Sequence, residues 1–184
     1  MKTILPAFLI CLLFIGCSKS SDSNQITQID VSQQWKFDAL GNTISGPGDT
    51  QWQSTTFTSQ ELSLFSSMDT ANLTGTVMPG AVLRTQNFPF PNPFTTSHNL
   101  VLSFPNGYVG PFVLKMVYVD SLMNPLLKMS TRWQATAYAP PTASSFGVTI
   151  TPTIVPVGRF RLYYTLSAAS NPHFYKCWGN IQKQ

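Results

Sequence analysis

The chain has 184 residues, of which 10% are charged, and eleven basic against seven acidic residues give a formal net charge of +4 at pH 7. The scattered basic residues do not form the run with interleaved aromatic side chains that marks nucleic-acid binding. Two histidines and dispersed carboxylates indicate neither a metal cluster nor a cofactor. Low charge together with many β-branched and aromatic residues favours strands over helices.

The N-terminus has the pattern of a secretory signal: Lys2, an apolar run from Ile4 to Ile15, and the small Gly16 before Cys17. The run is shorter than the roughly twenty apolar residues of a membrane-spanning helix. The six residues that end at Cys17, LLFIGC, resemble the lipobox of bacterial lipoproteins. The resemblance implies cleavage before Cys17, a diacylglycerol on its thiol and a third acyl chain on its amine, and three chains anchor a protein effectively permanently.

The resemblance also implies a location and a domain division. Ser18 stands where an Asp would resemble an inner-membrane retention signal, so the outer membrane is favoured, on either its periplasmic or its external face. An ordinary cleaved signal without lipid is the alternative. We expect residues 1–16 to be the signal peptide, residues 17–28 to be the lipidated Cys17 with a flexible polar tether, and residues 29–184 to form a single domain.

Disulfides are not expected in this chain. Cys11 leaves with the signal and Cys17 carries lipid, which leaves Cys177 without a cysteine partner. Stability must then come from the apolar core.

The first part of the domain holds the one predicted helix. Trp35 and Phe37 alternate around Lys36 near its start, a turn-rich loop covers residues 41–48, and residues 51–57 form a short predicted strand. Residues 58–68 are predicted to be helical because Thr58 and Glu61 fit a capping box and apolar residues recur at helical spacing after them. Alternation of Leu62 and Leu64 leaves a strand as the alternative.

Strands separated by turn signals dominate from Thr74 onward. The predicted strands are Ala81 to Gln86, Asn99 to Phe104, Phe112 to Asp120, Leu126 to Tyr138, Gly147 to Ile154, Arg159 to Leu166 and Phe174 to Ile181. About seven short strands at this spacing indicate an all-β antiparallel sandwich. Apolar residues in both phases of 112–120 predict a central strand covered on both faces, whereas the alternation in 159–166 predicts one solvent-exposed face.

Two short motifs resemble known modules. Residues 88–94 read FPFPNPF and look like the PNPF segment that opens immunoglobulin-like modules of C-terminal sorting domains and flagellar hook-capping proteins. In those modules two prolines set an extended edge segment and the Phe plugs the end of the sandwich, which implies these roles for Pro91, Pro93 and Phe94. Residues 158–164 resemble the Gly-x-Tyr strand that completes such modules. A long insertion separates the two motifs, so the resemblance implies an immunoglobulin-like sandwich without a sorting function.

No residues in the sequence nominate a catalytic site. His173 and Cys177 are four apart, which on a strand puts them roughly 13 Å from each other, too far for a Cys–His pair. We therefore expect a loop histidine and a buried free cysteine. Glu61 is the only glutamate, and no Gly-x-Ser-x-Gly elbow accompanies His98. We predict that the chain is not an enzyme, and a hydrolase is the least favoured alternative.

The candidate contact residues are aromatic and basic. Tyr163 falls on the predicted polar face beside Arg159 and Arg161 and is the first candidate for an outward ligand or partner contact, with Trp133 as a further one. These residues predict a lipid-anchored binding, adhesion or accessory module for an envelope protein. Because aromatic rings stack on sugars, a glycan-binding lipoprotein is the alternative. Asp69-Thr70-Ala71 and Asp120-Ser121-Leu122 resemble the acceptor tripeptide for O-linked glycans in some envelope proteins.

Overall fold

The computed structural model describes residues 28–68, 88–104, 111–133, 144–168 and 171–184. The signal segment, Cys17, the predicted strand at 81–86 and the tripeptide at 69–71 lie outside these ranges. The described elements are β1 (Lys36–Phe37), β2 (Thr43–Ser45), α1 (Ser59–Ser63), β3 (Pro89–Phe90), β4 (His98–Phe104), β5 (Phe112–Val119), β6 (Pro125–Trp133), β7 (Ser144–Ile150), β8 (Gly158–Ala168) and β9 (Asn171–Lys183). Within these ranges, no helix has the length and apolar character needed to span a bilayer.

Strands β3 to β9 form two antiparallel sheets, with orders β3-β4-β7 and β6-β5-β8-β9, while β1 and β2 make a small hairpin. The chain crosses between the sheets after β4, β6 and β7, so both sheets are built from strands that are not all consecutive in sequence. The predicted all-β antiparallel sandwich with one short helix is confirmed. Strands β8 and β9 extend further towards each other than predicted, since Asn171 already pairs with Ala168.

The main core lies between the two sheets. Because side chains alternate along a strand, the even-numbered residues of β5 and β8 point to the same side. There they meet apolar residues of β4 and the end of β7. Its deeply buried members include Leu100, Leu102, Leu114, Met116, Ile150, Leu162 and Tyr164. Phe94, which follows the two prolines, is also buried in this core.

A second layer covers the opposite face of the four-stranded sheet. Odd-numbered residues of β5 and β8, among them Val117 and Tyr163, pack against Phe57, Phe65 and Met68 of the segment around α1. All eight residues of β5 are buried, which confirms the predicted central strand. The predicted solvent-exposed face of β8 is wrong: residues 160–166 are all buried, because the N-terminal segment covers the face that polar alternation assigned to water.

The helix begins where the capping box placed it but ends early. The Thr58 side chain accepts a hydrogen bond from the backbone N–H of Glu61, whose carboxylate accepts one from the Thr58 N–H. After Ser63 the chain continues through three-residue turns such as Phe65 N–H to the Leu62 carbonyl at 3.1 Å. The Ser63 hydroxyl donates to the Gln60 carbonyl at 2.6 Å, and such serine bonds compete with helix continuation.

The free edge of β9 is covered by two non-strand segments. Trp52 N–H donates to the Trp178 carbonyl at 2.8 Å and Phe94 N–H donates to the Gln182 carbonyl at 2.9 Å. Residues 51–57, predicted as a strand, instead run beside this edge without forming one. The buried Asn92 adds a side-chain bond, since its Oδ1 accepts from the Gln182 N–H at 3.0 Å. These contacts occupy an edge that would otherwise be open to pairing with another chain.

Candidate contact site around Arg159

Tyr163, expected to face outward, is buried with 0% of its surface exposed. Its ring meets Phe57 edge-on, with centroids 5.4 Å apart, and its hydroxyl donates to the Met123 sulfur at 3.6 Å. Burial raises the pKa of Tyr163 to about 12. The expectation of an exposed Tyr163 is wrong because this ring belongs to the second layer.

Arg161, its neighbour on the same face, is only 9% exposed and acts as a clamp. Its Nε donates to Asn180 Oδ1 at 2.9 Å and its Nη2 donates to the Asp30 carbonyl at 2.6 Å. The guanidinium carbon lies 4.0 Å from the ring centroid of Trp178. The structure thus places Arg161 between β9 and the N-terminal segment and not on an open surface.

Buried amides complete this clamp. Asn180 donates from Nδ2 to the carbonyls of Asp30 at 3.0 Å and Gln33 at 2.7 Å. The Asn180 N–H donates to Gln51 Oε1 at 2.7 Å, and Gln51 Nε2 donates to Asp49 Oδ2 at 2.6 Å. The sequence analysis did not identify Gln51 or Asn180 as partners. They are 129 residues apart in the chain, and periodic sequence patterns report only on neighbours within one helix or strand.

Arg159 is the exposed member of the predicted set. Its Nη1 donates to the Ser32 carbonyl at 3.0 Å, and two grooves meet at this pair. The first groove has a volume of about 560 Å³ and is lined by Gln28, Ile29, Asp30, Val31, Ser32, Ser121 and Arg159. The second groove has a volume of about 350 Å³ and is lined by Ser32, Gln33, Gln34, Lys36, Ser45, Gly46, Pro47, Arg159 and Gln182.

The second groove is cationic and rich in amides. It contains the side chains of Arg159 and Lys36, and its described lining residues include no carboxylate. Gln34 and Gln182 are joined across it, with Gln34 Nε2 donating to Gln182 Oε1 at 2.8 Å. This combination offers several hydrogen-bond donors and positive charge to a ligand with acidic or hydroxyl groups.

One wall of the second groove is fixed by a tryptophan. The Trp35 ring lies so close to Gly46 that an added Cβ there would be 2.1 Å from ring carbons. The Trp35 indole N–H donates to Asp49 Oδ1 at 3.2 Å, and Asp49 in turn holds Gln51 of the clamp. The groove wall is therefore tied to the buried polar network.

Trp133 and Cys17, the remaining predicted residues, cannot be placed at either groove. Trp133 ends β6, where its backbone pairs with Phe112, and its side chain lies outside the described part of the structure. Cys17 lies outside the described ranges altogether.

Both histidines serve structural roles. His98 is fully buried, with Nε2 2.6 Å from the Tyr118 hydroxyl and its ring centroid 4.5 Å from that of Phe94. Burial lowers the pKa of His98 to about 4. His173, expected in a loop, lies in β9 at φ 54°, with Nδ1 3.1 Å from the Thr165 hydroxyl.

Cys177 is buried and free, as predicted. Burial raises the pKa of its thiol to about 12, so the thiolate that a nucleophile needs is disfavoured. Among the described residues, no three His, Cys, Asp or Glu side chains gather as metal ligands do.

The described carboxylates mostly stabilise turns. Asp38 accepts from the Asn42 side chain and from the backbone N–H groups of Leu40 and Asn42, each at 2.8 Å. The Asn42 bonds hold the pKa of Asp38 below its usual value. Asp120 makes the same pattern with Leu122 and Asn124. Ser121 lies beside this turn in the first groove, and its glycosylation stays a prediction.

Comparison of the chain with protein-family models and with curated proteins finds no match.

Proposed function

We propose that this chain is a lipid-anchored envelope protein of the outer membrane that acts as a non-catalytic binding or adhesion module. The anchor is Cys17, through the lipobox that precedes it, and the contact surface is the second groove beside Arg159. The observation that carries the proposal is the second groove itself, in which an exposed Arg159 and Lys36 stand among amide side chains.

The buried polar network supports a rigid contact surface. Arg161 and Asn180 fix the backbone of residues 30–33, and Asp49 fixes Trp35 behind the other wall. Rigid donors lose little conformational entropy on binding, so a shallow groove can still hold a partner. A guanidinium forms two parallel hydrogen bonds with a carboxylate, so an exposed Arg159 favours an envelope protein that presents acidic side chains.

The burial of His98 and Cys177, whose side chains could act as a base or a nucleophile, supports a non-catalytic role. Cys177 lies in the main core and His98 is buried against Phe94 and Tyr118, and neither lines either of the two grooves described above. A hydrolase would need a general base or nucleophile at a surface that substrate can reach.

A glycan ligand is the second candidate. The amide side chains of Gln33, Gln34 and Gln182 along the second groove suit sugar hydroxyls, which both donate and accept hydrogen bonds. In this version the positive charge of Arg159 and Lys36 favours acidic sugars over neutral ones.

Cross-linking on intact cells tests the proposal. The acylated protein is expressed with a cross-linker at Ser45, a residue of the groove rim, and its products are compared with those of a variant carrying Arg159→Ala and Lys36→Ala. We expect a reproducible envelope product that the double variant loses. Lys128→Ala, which removes an exposed cation on β6, is the matched control and should keep the product.

The ligand class and the anchor have their own readouts. A glycan array with acidic and neutral sugars separates the two candidate ligands, and binding that survives the double variant would contradict the groove as contact surface. Intact mass of the protein extracted from membranes tests the anchor. A mass without the acyl groups on Cys17 would refute it.

A further inference from the structure

Three large apolar side chains are exposed at one end of the sandwich. Leu122 is 45% exposed, Ile154 68% and Val157 72%. Leu122 lies in the β5–β6 turn, and the other two lie in the β7–β8 loop. These connections share an end because β5 and β8 are antiparallel, with Val119 opposite Arg161.

Both connections hold these side chains outward in a fixed conformation. In the β7–β8 loop, Lys183 Nζ donates to the carbonyls of Pro152 at 3.0 Å and Val155 at 2.8 Å. Val155 is buried in the main core, so Ile154 and Val157 on either side of it project from the end.

The β5–β6 turn is built in the same way. Asp120 accepts from the backbone N–H of Leu122 at 2.8 Å, while the next residue, Met123, is buried in the second layer. The β5–β6 turn therefore buries Met123 and exposes Leu122, and the β7–β8 loop buries Val155 and exposes both Ile154 and Val157, although all of these residue types favour burial.

The chain from the proposed anchor reaches the sandwich at this same end. Ile29 N–H donates to the Ser121 carbonyl at 2.8 Å, and Gln28 lines the first groove beside Ser121. The eleven peptide links from Cys17 to Gln28 span at most roughly 40 Å when fully extended. An acylated Cys17 therefore keeps this end within a short distance of the bilayer.

We infer that this end of the sandwich docks on the bilayer surface, with Leu122, Ile154 and Val157 entering the interfacial region. The inference rests on the proposed lipid anchor. Apolar side chains at a lipid interface gain from leaving water, and the anchor makes their insertion an intramolecular event at high effective concentration. Weak insertion is then sufficient to orient the domain.

Depth-dependent fluorescence tests the docking on the full acylated chain. Single cysteines at Ile154→Cys, Val157→Cys and Leu122→Cys carry an environment-sensitive dye, in vesicles of phosphatidylethanolamine and phosphatidylglycerol with spin-labelled lipid as quencher. Cys177 is buried and gives little labelling background. Ser130→Cys, an exposed position on β6 opposite Lys115, is the matched control.

The expected result is a shift of emission to shorter wavelength and lipid quenching at positions 122, 154 and 157, with neither at 130. An added Ile154→Asp and Val157→Asp pair should remove the quenching at position 122 while the protein still floats with the vesicles. Flotation with water-like emission at all four positions would overturn the docking and leave the anchor standing. Loss of flotation, with dye on an unacylated Cys17, would overturn the anchor and the docking together.

Discussion

The two faces of the four-stranded sheet are buried by different means. The inner face is covered by the second sheet, and its core is almost entirely apolar. The outer face is covered by described residues between Ile29 and Met68, and it mixes an apolar cluster with the buried polar residues Arg161, Thr165 and Asn180. Both faces exclude water. On the inner face His98 Nε2 lies 2.6 Å from the Tyr118 hydroxyl, whereas on the outer face Arg161 and Asn180 donate to backbone carbonyls of the N-terminal segment.

The inner face mainly stabilises the packing of the two sheets, whereas the outer face positions the N-terminal segment at the grooves. Apolar burial is non-directional and scales with area, so the inner face holds the sheets together without fixing a surface loop. Hydrogen bonds to backbone carbonyls are directional. On the outer face they set where residues 30–33 lie, and with them the rim of both grooves.

Leu162→Ala is the strongest test of the inner face. Leu162 is fully buried in the main core, and the cavity left by truncation should lower the free energy of unfolding by roughly 4 kcal/mol. Urea unfolding of the mature chain measures this. Leu40→Ala, at a leucine that is 81% exposed, should change stability by less than about 0.5 kcal/mol. Equal effects at the two positions would contradict the assignment of the core.

His98 gives the inner face a pH dependence. Burial lowers its pKa in the folded chain to about 4 from the ordinary histidine value of 6.5, so below pH 6.5 the unfolded state binds a proton that the folded state does not. Stability should therefore fall as the pH drops from 6.5 towards 4, by about 3 kcal/mol in total. Urea unfolding across this range, compared with His98→Gln, measures the effect. A variant that retains the same slope would show that the slope has another source.

Arg161→Met tests the directional bonds of the outer face. The substitution keeps an apolar stem beside Trp178 and removes the bonds to Asn180 and the Asp30 carbonyl, which should cost about 2 kcal/mol. We also expect faster hydrogen exchange at the Ile29 amide, since the segment that it anchors is released. Lys128→Ala, at an exposed cation on β6, is the control and should leave that amide protected. Unchanged exchange in the Arg161 variant would show that the clamp does not position the segment.

The inner face could be predicted from sequence to a large extent. Strands β4, β5 and β8 start and end within two residues of the predicted positions, because proline, glycine and asparagine mark the turns and apolar runs mark the strands. Strands β6, β7 and β9 differ from the prediction by three to five residues at one end or both. The capping box of Thr58 and Glu61 located the start of α1 for the same reason: its signal is local.

The outer face could not be predicted in this way. Arg161, Tyr163 and Thr165 alternate with apolar residues as a solvent-facing strand does. Contacts with residues distant in sequence, among them the Asp30 carbonyl and the ring of Phe57, make burial of Arg161 and Tyr163 favourable. Arg161 and Asp30 are 131 residues apart in sequence, so a periodic pattern within one strand cannot reveal their contact. Arg159 and Arg161 lie two residues apart on the same face of β8, and nothing in the neighbouring sequence distinguishes them. Arg159 is nevertheless exposed and Arg161 is buried.

Gly46→Ala is expected to have the smallest effect on stability and a selective effect on the second groove. The new Cβ would meet the Trp35 ring at 2.1 Å, so the wall at residues 45–47 must move, at a cost of about 1 kcal/mol. Gly147→Ala, where nothing lies within 4 Å of the added Cβ, is the matched control. Urea unfolding measures the cost, and cross-linking from Ser45 measures the groove. If directional contacts of the outer layer fix this surface, the Gly46 variant loses the cross-linked product while remaining folded, and the Gly147 variant retains it.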